Sequence, residues 1–141
     1  MNAVANIILF LWELPQNILG VANLLIHAVH GSIMERSLER SRMFIKVRSG
    51  AVSLGFFIFW SDIGNELFLL DERNKLHEFG HSVQSRILGP LYLLVVGIPS
   101  VSRVAYAHRY YARQGMRWTG YYEGFPENWA DRLGKVRSGT V

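Results

Sequence analysis

Cysteine is absent from this 141-residue chain. That excludes a disulfide framework, a thiolate zinc site, iron–sulfur ligation and a cysteine nucleophile. Any transition metal must be held by His, Asp and Glu, and the five histidines are His27, His30, His77, His81 and His108. Charge is scarce too: Asp, Glu, Lys and Arg make up 18% of the residues, against roughly 25% in soluble domains. Acids are scarcer than bases, 11 against 15, for a net charge of +4. That balance suits anionic lipid headgroups or nucleic acid. No Lys or Arg precedes the first apolar run, which argues against a cleaved signal peptide. Neither an internal repeat nor a low-complexity stretch is present.

What the chain has in quantity is apolar surface. Half of its residues are hydrophobic and the mean hydropathy is +0.13. A disordered chain is excluded. The value is high for a soluble protein and low for a bundle of membrane spans, so the expectation is a chain partly in a bilayer and partly in water. The length suits one domain with a single core.

Residues 1–31 are almost uncharged. Ala3–Trp12 and Ile18–Val29 are apolar runs separated by Glu13, Pro15 and Gln16. Together they have the length to span a bilayer, but a charge and a proline sit near the middle. The pattern predicts two short helices around a polar kink, re-entrant, interfacial or crossing with Glu13 turned toward protein. Glu13 itself reads as a helix-end residue at an interface. Beyond this segment, Glu35–Arg42 alternates in charge sign and reads as a solvated helix or turn. Met43–Arg48 and Val52–Trp60 are rich in β-branched and aromatic residues and predict a β-hairpin. Gly55 inside the second run marks a bulge or a close backbone approach.

A helix is predicted over Glu72–Leu88, with Asp71 as its N-cap, Leu76, Phe79, Val83 and Ile87 as an apolar stripe, and Gly89-Pro90 as its stop. After it, Leu91–Ile98 and Val101–Ala107 are apolar, interrupted by Pro99. Basic and aromatic residues then interleave from Arg103 to Tyr122, as at a membrane–water interface. An RNA-stacking surface uses similar residues, but it leaves the motifs described next unexplained.

His77-Glu78-Phe79-Gly80-His81 is an HExxH motif on that helix. Histidines four apart share a face and can converge on one ion. Glu78 is placed as general base toward a metal-activated water. Downstream, Glu127 and Asp131 are again one helical turn apart. Glu127 offers a third ligand, and Asp131 can accept a hydrogen bond from the far nitrogen of a ligand histidine. His27 and His30 read instead as interfacial. Ser82 and Ser85 lack the glycine pattern of a hydrolase nucleophile elbow.

HEFGH followed by ENWAD resembles the gluzincin zinc peptidases, and most closely their membrane-associated members. The resemblance covers the helix 71–88 and the segment 126–134. It implies Zn2+ held by His77, His81 and Glu127, with Glu78 as base and Asp131 behind the ligands. It also implies a β-hairpin, here residues 43–60, whose edge strand receives an extended substrate. Gluzincins add a His or Tyr at the oxyanion; Tyr121, Tyr122 and His108 are the candidates here, none marked by a motif.

The expectation is thus an α+β fold: a minimal gluzincin-like core of β-hairpin, HExxH helix and Glu/Asp helix, with apolar membrane-associated helices. Residues 1–31 form the apolar membrane-associated segment. Residues 32–141 form one integrated zincin-like domain that includes the apolar stretch 87–107. The expected function is zinc metallopeptidase, a metalloendopeptidase-like hydrolase. The alternative is a membrane-anchored zinc-binding protein that cleaves nothing. Expected partners are a peptide or protein substrate and the lipid bilayer, with no nucleic acid. The expected location is a bacterial-type inner membrane, with the catalytic part toward the cytoplasm, where Arg36–Arg48 and Arg103–Arg117 would lie.

Overall fold

A computed structural model describes residues 2–136, so the last five residues of the predicted 32–141 domain lie outside the described residues. The fold is α+β. Among the described residues, five helices surround a four-stranded mixed sheet.

The N-terminal runs form α1 (Ala3–Trp12) and α2 (Leu14–Val29), which meet at a bend of 88°. Pro15 lies in the first turn of α2, where its missing N–H costs nothing. The kink is not an interfacial feature, as Glu13 had suggested. Glu13 is 1% exposed, and Gln16 and Asn17 are equally buried. Arg42 donates to both carboxylate oxygens of Glu13, at 2.7 and 3.0 Å, and to the carbonyl of Ser82 at 3.1 Å. Gln16 donates to Gly89 O and Ser85 Oγ. Asn17 donates to Phe10 O and accepts from the Phe56 N–H. Each polar residue of the kink therefore ties the helix pair to a different part of the core. Buried polar groups are tolerated because they are paired.

The sheet corrects the strand reading. Ile33–Glu39 is strand β1, not a solvated helix or turn, and it forms the antiparallel hairpin with β2 (Arg42–Val47). Arg40 and Ser41 both have positive φ, 50° and 59°, the pattern of a type I′ hairpin turn. Strand β1 lies at the sheet edge and is mostly exposed, so charges suit it and apolar alternation is not required. The hairpin expected between 43–48 and 52–60 does not form. Instead β3 (Val52–Leu54) turns back through Gly55 and Phe56 onto β4 (Phe57–Trp60), which inserts parallel to β2. Gly55 sits in that turn with φ +64° against Asn17 Oδ1, which occupies the space a Cβ would need.

Central strand β4 is buried along its whole length and is continuously apolar. Strand β2 beside it is apolar except for Arg42, paired with Glu13, and Lys46, paired with Asp62. Ile45, Val47, Phe57 and Phe59 pack with Leu24 of α2 on one side. Phe44, Ile58 and Trp60 pack with Phe79 of the next helix on the other.

That helix, α3 (Arg73–Leu88), begins one residue later than expected, with Glu72 rather than Asp71 at the N-cap position. Asp71, one residue before it, accepts from the Arg73 N–H at 2.8 Å. Its orientation is unexpected. Ile87, from the apolar stripe, is 56% exposed, while Asn74, His77, Glu78, His81, Ser82, Gln84 and Ser85 are buried. The chain continues through a 3-10 turn (Gly89–Leu91) and a π turn (Leu93–Gly97) into α4 (Ile98–Gln114). The Ile98 N–H reaches back to Leu93 O, a widened turn that accommodates Pro99 without ending the helix. Arg103 is not a free interfacial cation: it donates to the carbonyls of Gly120 and Tyr121 and pins that loop. Helix α5 is Glu127–Gly134. No single helix among the described residues is long and apolar enough to cross a membrane; α1 and α2 qualify only as their bent pair.

Breaking a buried ion pair on one side costs about 3–5 kcal/mol, whereas replacing both partners by apolar groups of similar size costs far less. Arg42→Ala should therefore lower unfolding stability by about that amount in denaturant titration. The double variant Glu13→Leu/Arg42→Met should recover most of the loss.

Candidate metal centre

The centre depends on how closely α3 and α5 approach. At Gly80 a Cβ would collide with the carbonyl of Ala130, and at Gly134 with the carbonyl of Leu76. Only glycine lets the two backbones meet there. Gly80, an unassigned position within HEFGH, is thus what brings the two motifs together.

At this crossing Glu127 Oε2 lies 3.0 Å from both His77 Nε2 and His81 Nε2. All three residues are buried, with their ligating atoms within 4.8 Å of one another. A tetrahedral ion with nitrogen and oxygen ligands at about 2.0–2.2 Å holds them about 3.4 Å apart. The His77–His81–Glu127 group can therefore hold a metal ion.

The remaining polar atoms of the set are committed in the way a ligand shell requires. Asp131 Oδ1 accepts from His77 Nδ1 at 2.7 Å. Gln84 Oε1 accepts from His81 Nδ1 at 2.8 Å, while its amide donates to Pro126 O at 3.0 Å. Ser100, at the start of α4, donates to Glu127 Oε1 at 2.6 Å. Each imidazole thus presents Nε2 to the shared point. Gln84 and Ser100 were not anticipated from the sequence. Gln84 lies three residues past His81 on the same helical face and was legible in principle; Ser100 comes from a distant segment and was not.

Charge in the group is concentrated. Burial alone would press His77 toward neutrality. The hydrogen bonds of Asp131 and Glu127, with the charges of Glu78 and Glu127, outweigh it and raise its pKa to about 10. Burial opposes the Glu127 carboxylate, yet its bonds to the two histidines hold it well below the usual range. Both shifts have one cause: the site favours a positive charge where the carboxylate and the imidazoles meet. Burial raises the pKa of Glu78 against the opposing charges of His81 and His77. Among the described residues its Oε2 is buried with no hydrogen-bond partner, an orphaned acceptor that a metal ion and its ligands would explain.

Glu78 and Tyr121 lie where two cavities adjoin. The larger, of about 570 Å3, is lined by Glu78, His81, Glu127 and apolar residues such as Leu19, Leu93 and Ile98. The smaller, of about 270 Å3, is lined by His77, Asn65, His108 and Tyr122. Edge strand β3 borders the larger one, with Ser53 O accepting from the Tyr92 hydroxyl at 3.1 Å. Of the oxyanion candidates, Tyr121 lines both cavities and pairs with the Ser100 hydroxyl. Tyr122 packs edge-on to the His77 ring at 5.1 Å. His27, read as interfacial, stacks on Phe59 and bonds Ser32.

No protein-family model, curated protein or solved structure matches this chain.

Elemental analysis of purified protein should give about one zinc per chain in wild type and much less in Glu127→Ala. Gln84→Ala and Asp131→Ala should keep the site but weaken zinc affinity about 10–100-fold in competition with a chelator.

Proposed function

We propose that this protein is a zinc-dependent, membrane-associated metallopeptidase with a minimal gluzincin-like core. The observation that carries the reading is the meeting of His77, His81 and Glu127 beside the unpartnered Glu78 carboxylate oxygen. In this reading the three residues hold Zn2+, which when bound polarises a carbonyl and lowers the pKa of water toward 7.

The chain's own residues supply the rest. Asp131 and Gln84 fix the imidazoles, and Ser100 fixes Glu127. Glu78 Oε2 takes a proton from water in the cleft as the water oxygen adds to the scissile carbonyl carbon. It delivers that proton to the amide nitrogen as the C–N bond breaks, leaving a carboxylate product and a free amine. Its burial-raised pKa brings the base closer to neutral pH, where proton transfer in both directions is efficient. Tyr122 and His108 face the smaller cavity as donors to the developing oxyanion. An extended peptide would lie across both cavities along β3, with apolar side chains in the larger one.

Membrane association is supported by exposed apolar residues on α1 and α2, among them Ile7, Ile18 and Leu25, each about 61% exposed. Exposed Ile98 and Val101 continue this surface to the mouth of the larger cavity. The cleft would then open toward the bilayer, with the basic segment 103–117 at the cytoplasmic headgroups.

Glu78→Gln should leave zinc bound while hydrolysis of a quenched peptide library falls about 10²–10⁴-fold; undiminished turnover would overturn the mechanism. Zinc retained in a wild type that cleaves nothing would identify a membrane-anchored zinc-binding protein instead. Separately, wild type should sediment with vesicles of phosphatidylcholine and phosphatidylglycerol, and Ile18→Ser/Leu25→Ser should sediment less with zinc content unchanged. A wild type that stays in the supernatant as a soluble monomer would refute membrane association.

A further inference from the structure

A cavity of about 540 Å3 that shares no lining residue with the candidate metal centre opens between α1 and the β1–β2 turn. Its walls are apolar: Ile7, Phe10 and Leu11 from α1, Leu38 from β1 and Phe56 from the β3–β4 turn. Its lining also carries Glu13, Arg42 and Arg86, and these charges do not balance. Both oxygens of Glu13 are engaged by Arg42. Among the described residues the side chain of Arg86 has no hydrogen-bond partner, and its Nε is buried without one. The backbone carbonyl of Arg86 accepts from the Trp12 indole. The Nε of Arg42, a side chain 2% exposed, is a second buried donor without a partner.

A guanidinium does not relieve such an imbalance by losing its proton. An unpaired, partly buried cation beside a paired one calls for an anion, and the strongest complement is an oxygen anion that takes charge-assisted hydrogen bonds. The apolar walls call for a hydrocarbon chain. Ile7 and Leu11 are exposed beyond the cavity, so a chain longer than the cavity continues over apolar surface.

We propose that this cavity is a binding site for one anionic amphiphile, its carboxylate or phosphate head on Arg86 and its acyl chain along Ile7, Phe10 and Leu11. The site is separate from the zinc centre and does not depend on peptidase activity.

The test is titration of the full-length protein in neutral detergent with four probes, with bound molecules counted by native mass spectrometry. Dodecyl phosphate and dodecanoate carry the phospholipid-type and fatty-acid-type heads. Dodecanol has the chain without charge, and inorganic phosphate has the charge without a chain. One molecule of dodecyl phosphate, dodecanoate or both should bind per chain, and the tighter of the two identifies the natural head. Dodecanol and inorganic phosphate should each bind at least about tenfold more weakly. Arg86→Gln should weaken the anionic probes by at least about tenfold, with Arg86→Lys recovering part of the loss. Ile7→Trp, which fills the cavity and leaves its charges intact, should also block them, with circular dichroism confirming that each variant folds. Equal binding of dodecanol, equal binding of inorganic phosphate, or unchanged binding in folded Arg86→Gln would each overturn the proposal.

Discussion

The close crossing of α3 and α5 is the constraint on which the rest of the structure depends. With no side chain at Gly80, the backbone of α5 comes near enough for Glu127 to reach both histidines and for Asp131 to reach His77. Bringing these groups together buries a helix face made almost entirely of polar residues. Such a face is stable only if its donors and acceptors find partners. Asp131, Gln84 and Ser100 meet that requirement around the ligands; Arg42 meets it at Ser82, and Gln16 at Ser85. Among the described residues Glu78 Oε2 is a buried acceptor left without a partner beside the three candidate ligands.

A second polar network, built on Glu13, Gln16 and Asn17, attaches the apolar helices to this core. Without it α1 and α2 would be an apolar pair that could sit against the sheet in several ways. Directional bonds to Arg42, Gly89 and Phe56 select one arrangement. The same hub joins the two proposed sites. Arg42 binds Glu13 beside the amphiphile cavity and Ser82 on the helix that carries the histidines. A cleft lined by exposed apolar residues and the cavity proposed for an anionic amphiphile would both suit a protein working at a lipid surface.

Much of the chemistry was legible from local spacing. Histidines four apart share a helical face wherever that helix lies, and so do Glu127 and Asp131. The polar kink between two apolar runs was equally visible, because Pro15 acts within its own turn; the partner of Glu13 was not. Strand partners were not visible. The charged segment 33–39 became an edge strand, and β4 entered between β2 and β3, because pairing depends on what the rest of the chain leaves uncovered. Nor was the buried face of α3: Leu76, Phe79, Val83 and Ile87 form a regular stripe, yet the helix turned its polar side inward.

The sequence by itself determined the inventory of ligands, the helices that carry them and the bend at Glu13, since each follows from interactions within a few residues. Tertiary structure alone decided the parallel β2–β4 pairing, the burial of Glu13 against Arg42, the recruitment of Ser100 to Glu127 and the unpaired charge of Arg86. The physical reason is the same in each case. A polar group is buried only where its complement arrives from elsewhere in the chain, and that arrival is a property of the packed molecule.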